Sequence, residues 1–264
     1  MDTLRFLGRL FATNLAAAYA LRGAFWLQVA MMAINNLMFF SFWWILFDRY
    51  PSVQGWSVAG LAQLFGVAAM AYGLCAVLLG GLSELARQID DGELDPLLVQ
   101  PRSVLLQAIA SKTRPDGWGD LATGLGLVIV YGGLGESGGG VRMLLLPLAV
   151  GTGALTLASC NIAYHSSAFW LGRTQTTARF FSDLVLTFAM YPASIFTAPM
   201  RAILYVVVPA AFVSHVPAQL VMAPDLTTGL VGVAGALAWA TAAWWVFDRG
   251  LRRYSGSSRF GVRG

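Results

Sequence analysis

The chain has 264 residues, 57% of them hydrophobic and only 11% charged, with a net charge of +4 and a mean hydropathy of +0.66. An ordinary soluble domain carries about 25% charged residues, and one this poor in charge would not stay dispersed in water. The excess base is almost all arginine at the ends of apolar runs, a pattern of membrane topology that argues against nucleic acid as a partner.

In residues 3–20, Leu4, Leu7, Phe11 and Leu15 face Arg5, Arg9 and Asn14 at helical spacing. This predicts an amphipathic interfacial helix on the cytoplasmic side. The apolar run that follows, about 24–47, is too long for a secretory signal core and is expected to stay as a span. Spanning roughly 30 Å of hydrocarbon takes about 20 apolar residues. Five further stretches meet that demand, at about 58–82, 118–135, 141–171, 179–198 and 228–247. The expectation is therefore an all-α integral membrane protein of about six transmembrane helices in a single domain, 1–264.

The arginines orient it. With the amino terminus inside, one side collects Arg5, Arg9, Arg22, Arg87, Arg102, Lys112, Arg114, Arg173, Arg179, Arg249, Arg252, Arg253, Arg259 and Arg263. The other side keeps Arg49, Arg142 and Arg201. Short loops rich in Lys and Arg stay in the cytoplasm, so both termini are expected there.

Several polar residues interrupt the apolar runs. Asn35 and Asn36 lie mid-span, where a permeation role and a helix-packing role fit equally. Cys75 and Cys160 sit inside apolar runs and read as small packing residues. Residues 83–116 form the one substantial cytoplasmic loop, and its segment IDDGELDPLLVQP, Ile89 to Pro101, is the most informative stretch. Gly92 can end one short helix in a left-handed conformation, Asp95 can cap the next with Pro96 in its first turn, and Pro101 stops it. Leu94, Leu97 and Leu98 then need a cover, rimmed by Asp90, Asp91 and Glu93, with Arg102 following. The residues alone leave two covers open: a docked protein, or headgroups over a plain interfacial helix. Further on, Asp183 follows Arg179 by four residues, the spacing of a helix-surface ion pair. Residues 192–224 carry Pro192, Pro199, Pro209, Pro217 and Pro224. Broken helix in lipid is tolerated only under protein or beside water. The 199–226 region is therefore expected to be an outer re-entrant or loop segment, with Arg201 reaching outer headgroups, a carbonyl or substrate.

No catalytic or metal site is expected. The lone lysine, Lys112, lacks the glycine-rich approach of a phosphate loop. Asp90-Asp91-Gly92 lacks the further aspartates of a headgroup transferase. Cys160, His165 and Ser166 do not share the helix face a nucleophile and base require, and His215 has no evident partner. No internal repeat supports an inverted-repeat transporter.

Three stretches carry a family resemblance: GELDPLLVQPRSVLLQ at 92–107, the run from Tyr191 through IFTAPMRAILYVVVPAAFVSHVPAQ to Gln219, and GLRRYSGSS from Gly250 to Ser258. On these the chain resembles ABC transporter permeases of the type-2 exporter class, in particular the compact bacterial six-span subfamily. The resemblance implies a multi-pass protein of the bacterial cytoplasmic membrane, with an outer re-entrant hairpin between the last two spans. It also implies that residues Asp90–Arg102 form a coupling helix seated on a separate ABC ATPase subunit. ATP and Mg would bind in that partner, and this chain would hold no cofactor. A second permease, identical or paralogous, would complete a dimer within the membrane lipid. Amphiphilic cargo would cross at their interface, lined mainly by the second and fifth spans. Asn35, Asn36, Tyr191 and Arg201 are the candidates for pathway or packing roles. The alternative is a stand-alone secondary transporter or channel, which needs ionisable residues along its spans; few are present.

Overall fold

A computed structural model of the chain describes residues 3–50, 52–53, 55–133 and 139–254. Arg259, Arg263 and the part of the GLRRYSGSS motif from Ser255 onward lie outside the described residues. Every regular element within them is helical, and extended pairing is confined to a bridge between Val53 and Trp56. In chain order these are α1 (Thr3–Tyr19), α2 (Arg22–Arg49), α3 (Val58–Leu78), a 3-10 turn (Gly80–Glu84), α4 (Leu85–Asp90), α5 (Asp95–Leu98) and α6 (Val104–Ile109). There follow α7 (Asp116–Tyr131), α8 (Gly139–Ser166) extended by α9 (Ala168–Leu171), α10 (Gln175–Ala189), a second 3-10 turn (Ala193–Ile195), α11 (Ala198–Val206), a π turn (Ala211–His215), α12 (Val216–Met222) and α13 (Leu226–Leu251).

Four of these, α2, α3, the α8–α9 stretch and α13, are long and apolar enough to cross a bilayer. The pair α11 and α12, bent by 74°, makes a fifth if counted as one span. The other two expected spans are short. With 16 and 15 residues, α7 and α10 are roughly 22–24 Å long at 1.5 Å per residue. α10 ends at Ala189, well before the expected residue 198. Pro192, which lacks an amide hydrogen and crowds the preceding turn, explains the stop. The prolines beyond it stand at helix starts: Pro199 in the first turn of α11, Pro217 in that of α12.

The packing order is α2 on α7, α7 on α3, α3 on α8, and α8 on α13, with α10 and α12 also against α8. α3 is the central helix, and Leu61, Ala62, Leu64, Val67 and Ala71 have no exposed surface. α2 and α13 turn large apolar side chains outward, such as Trp26, Leu37, Phe42, Leu230 and Trp244, as helices against lipid do. The cysteines are buried unpaired thiols, and Cys75 Sγ donates to the Ala154 carbonyl at 3.1 Å.

Glycines allow the α3–α7 contact. A Cβ on Gly124 would lie 2.5 Å from the Gly66 carbonyl oxygen, and one on Gly73 would lie 2.6 Å from that of Gly117. The two backbones touch at points one heptad apart on each helix. Asn36 fastens α2 to the same α7, donating to Asp120 at 2.7 Å and Thr123 at 3.0 Å.

Both described ends of the chain pack on the 83–116 loop. Asn14 of α1 donates to the Ala110 carbonyl at 2.8 Å, and Tyr254 packs into the core that contains Leu94. The opposite end of the bundle holds Trp56, whose indole nitrogen donates to Ser194 at 2.9 Å. α7 and α10 each run from the loop end to that far end, where Tyr131 accepts from Gln63 at 3.4 Å.

The close contact gives a paired prediction. Gly124→Ala should lower the thermal midpoint of the detergent-solubilised protein by several degrees. Gly126→Ala, with nothing within 4 Å of its Cβ, should hold or raise it, because alanine favours helix by about 1 kcal/mol over glycine. Equal midpoints for the two variants would contradict the backbone contact.

Candidate functional site

The 83–116 loop is the site to be built. It returns on α3 through the backbone: Gly80 N–H donates to Lys112 O at 3.1 Å, and Arg114 N–H to Ala76 O at 3.0 Å. Thr113 Oγ1 donates to Val77 O at 3.0 Å. Gly81 crosses beneath α6 so closely that a Cβ would sit 2.2 Å from Ala108 O. Gly92 turns the chain after α4 at φ +77°, the left-handed conformation expected of it.

The apolar face of this loop is largely spoken for. Leu82, Leu85, Ala86, Ile89, Leu94, Leu105, Ala108 and Ile109 join one core with Phe169 of α9 and Phe247 of α13. Leu94 is fully buried within its own chain, so it needs no external cover. α5 begins at Asp95 rather than being capped by it, and Pro96 lies in its first turn. Leu97 is half-buried, while Leu98 is 46% and Val99 85% exposed. The uncovered apolar tip is therefore Leu98–Val99, flanked by exposed Pro96, Gln100 and Pro101. Of the three leucines expected to need a cover, Leu98 alone is exposed, and the outward face continues to Val99.

The expected acidic rim is also redistributed. Arg87 bonds Glu84 at 2.8 Å, Asp91 at 3.1 Å and Glu93 at 2.5 Å, and Lys112 bonds Glu84 at 2.6 Å. Hydrogen bonds donated by Lys112 and Arg87 hold the Glu84 carboxyl below the usual carboxylate range, and those that Arg87 donates to Glu93 and Glu84 raise its own pKa further. Such half-exposed pairs are individually weak; together they fold the acids onto the loop. Burial raises Asp90, opposed by the backbone amide of Arg173. Arg102 also turns aside, its guanidinium 3.8 Å from the centre of the Phe6 ring of α1.

Residues from the first turns of α10 bolt this loop down, and sequence reasoning missed them. Gln175 Oε1 accepts from Arg87 N–H at 3.1 Å, and its Nε2 donates to Ser83 O at 2.6 Å. Arg179 donates to the same carbonyl at 3.3 Å. The 92 residues between Gln175 and Ser83 hid this contact from local pattern. Gln175 and Arg179 open α10, which differs from a lipid-facing helix. It exposes Thr176, Thr177, Arg179, Asp183 and Thr187 beside Phe180 and Phe181.

The remaining expected residues divide between packing and surface. Asn36 is buried in the α2–α7 contact, which is a packing role, while Asn35 is exposed. Tyr191 packs edge-on against Trp43 at 5.6 Å and Phe39 at 6.3 Å. Arg201 lines a cavity of about 510 Å3 at the far end with Trp56, Tyr205, His215 and Gln219. His165 is fully buried at the loop end of α8. It borders a cavity of about 370 Å3 with Tyr72, Arg114, Arg179 and Asp183.

Residues 32–258 match the family model described as ABC-2 family transporter protein. Comparison with curated proteins and with solved structures returns no match.

The inward and outward leucines separate in stability. Leu94→Ala should destabilise the protein by about 2–4 kcal/mol, the usual cost of emptying a buried leucine site. Val99→Ala should stay within about 0.5 kcal/mol, as surface changes do. Denaturation midpoints in detergent measure both, and equal losses would contradict the packing of the loop.

Proposed function

The chain belongs to the ABC-2 transporter family and is a membrane permease of that family, and on that footing we propose that it is half of an exporter driven by a separate ABC ATPase. The observation that carries this is the uncovered Leu98–Val99 tip on a loop whose other leucines are covered. An apolar projection ringed by exposed prolines and a glutamine is suited to a groove in a soluble protein. ATP and Mg bind in that ATPase, and Pro96, Leu98, Val99 and Pro101 form the contact. Asp91 and Glu93 edge it, Gly92 shapes it, and Leu94 and Leu97 anchor it.

Movement of the tip reaches the membrane through Ser83 and Arg87, which Gln175 and Arg179 hold to α10. The exposed polar side of α10 is costly against lipid. It faces instead a wet pathway shared with a second permease, identical or paralogous. Six crossings, with both ends and the loop in the cytoplasm of a bacterium, agree with the arginine distribution. The bent α11–α12 pair serves as an outer re-entrant hairpin, and Arg201 stands at its mouth. ATP-driven closure of the partners then moves α10 between inward-open and outward-open arrangements, expelling an amphiphilic cargo.

Two variants separate docking from transmission. Leu98→Asp with Val99→Asp should leave the permease in the membrane and abolish co-purification of the ATPase. Gln175→Ala should keep the ATPase bound yet reduce cargo-stimulated hydrolysis about tenfold, a loss equivalent to one strong hydrogen bond. Retention of the ATPase by the tip variant would sink the docking assignment. Full stimulation in Gln175→Ala would sink the route through α10.

A further inference from the structure

Between α1 and the start of α6 lies a cavity of about 420 Å3. Its walls include Phe6 and Leu7 from α1, and Arg102, Ser103, Leu106 and Gln107 from the loop. None of the described residues lining it is acidic. Gln107 is only 5% exposed. Its Nε2 and Arg102 Nη1 are both buried without a hydrogen-bond partner among the described residues. Phe6 holds the guanidinium against its ring, leaving the in-plane N–H groups to bond a planar or tetrahedral anion.

Two unsatisfied donors call for acceptor oxygens, and the charge of Arg102 favours an anion as their source. Phe6, Leu7 and Leu106 add an apolar wall that a simple inorganic ion would not use. α1 is itself amphipathic, with Arg5 and Arg9 on its exposed side, as suits a helix on an anionic membrane surface. We infer that this cavity binds the phosphate headgroup of an anionic phospholipid, held by Arg102 and Gln107 with its glycerol end against Phe6 and Leu106. The site adjoins Pro101, so a bound lipid braces the base of the exposed loop tip against α1. The assignment rests on this cavity alone and stands whether or not an ATPase docks on the tip.

The test is native mass spectrometry of the delipidated full-length chain, titrated separately with phosphatidylglycerol, phosphatidylcholine and inorganic phosphate. Phosphatidylglycerol should add one tightly held copy, with phosphatidylcholine and inorganic phosphate each at least about tenfold weaker. Arg102→Gln and the nearly isosteric Gln107→Glu should each weaken phosphatidylglycerol about tenfold, the loss of one charge-assisted hydrogen bond. Arg252→Gln, away from the cavity, should not. Equal binding of phosphatidylcholine, or undiminished phosphatidylglycerol binding by Gln107→Glu, would overturn the site. Inorganic phosphate bound as tightly as the lipid would overturn the lipid as its occupant.

Discussion

The Ser83 carbonyl accepts from Gln175 at 2.6 Å and from Arg179 at 3.3 Å, and the working geometry of the molecule follows from that junction. Ser83 lies at the start of the 83–116 loop, and Gln175 begins α10, whose outward side is polar. The loop is therefore fastened to α10 as well as to α3. Carbonyls at the end of a helical turn lack an intrahelical partner, so the side chains from α10 both satisfy that of Ser83 and join two segments distant in sequence.

Exposure has to be interpreted with the bilayer as solvent. The outward leucines and tryptophans of α2 and α13 are in their favoured medium, whereas the exposed Asp183 and Arg179 of α10 are not. The same logic applies within the chain. Asp120 in α7 is kept from lipid by Asn36 and Thr123, and the glycines of α3 and α7 let backbones meet where no hydrophobic drive exists between helices in lipid. Among the described residues, two exposed features stand out: the polar side of α10 and the apolar pair Leu98–Val99.

Much of this was legible locally. Apolar length marks α2, α3, α8 and α13 because a span is a continuous run; it misplaced the end of α10, because the apolar run continues past Pro192 while the helix does not. Gly92 was legible as a left-handed turn, whereas Arg179, expected to pair with Asp183 four residues on, donates to the Ser83 carbonyl instead. The direction of the loop leucines was not legible locally. Whether Leu94 or Val99 faces water depends on Phe169 and Phe247, which come from the far end of the chain. Nor could Asn36 be assigned to packing until Asp120 was placed 2.7 Å away.

The central claim is that a loop locked to α10 presents one apolar tip to a soluble motor. A photo-crosslinking residue at position 99, in the intact native membrane, tests it most directly, with the same residue at position 94 as the inward control. The account predicts an adduct from position 99 to a soluble protein bearing a nucleotide-binding phosphate loop, and none to any other chain from position 94. Adducts from position 99 to lipid alone would contradict it.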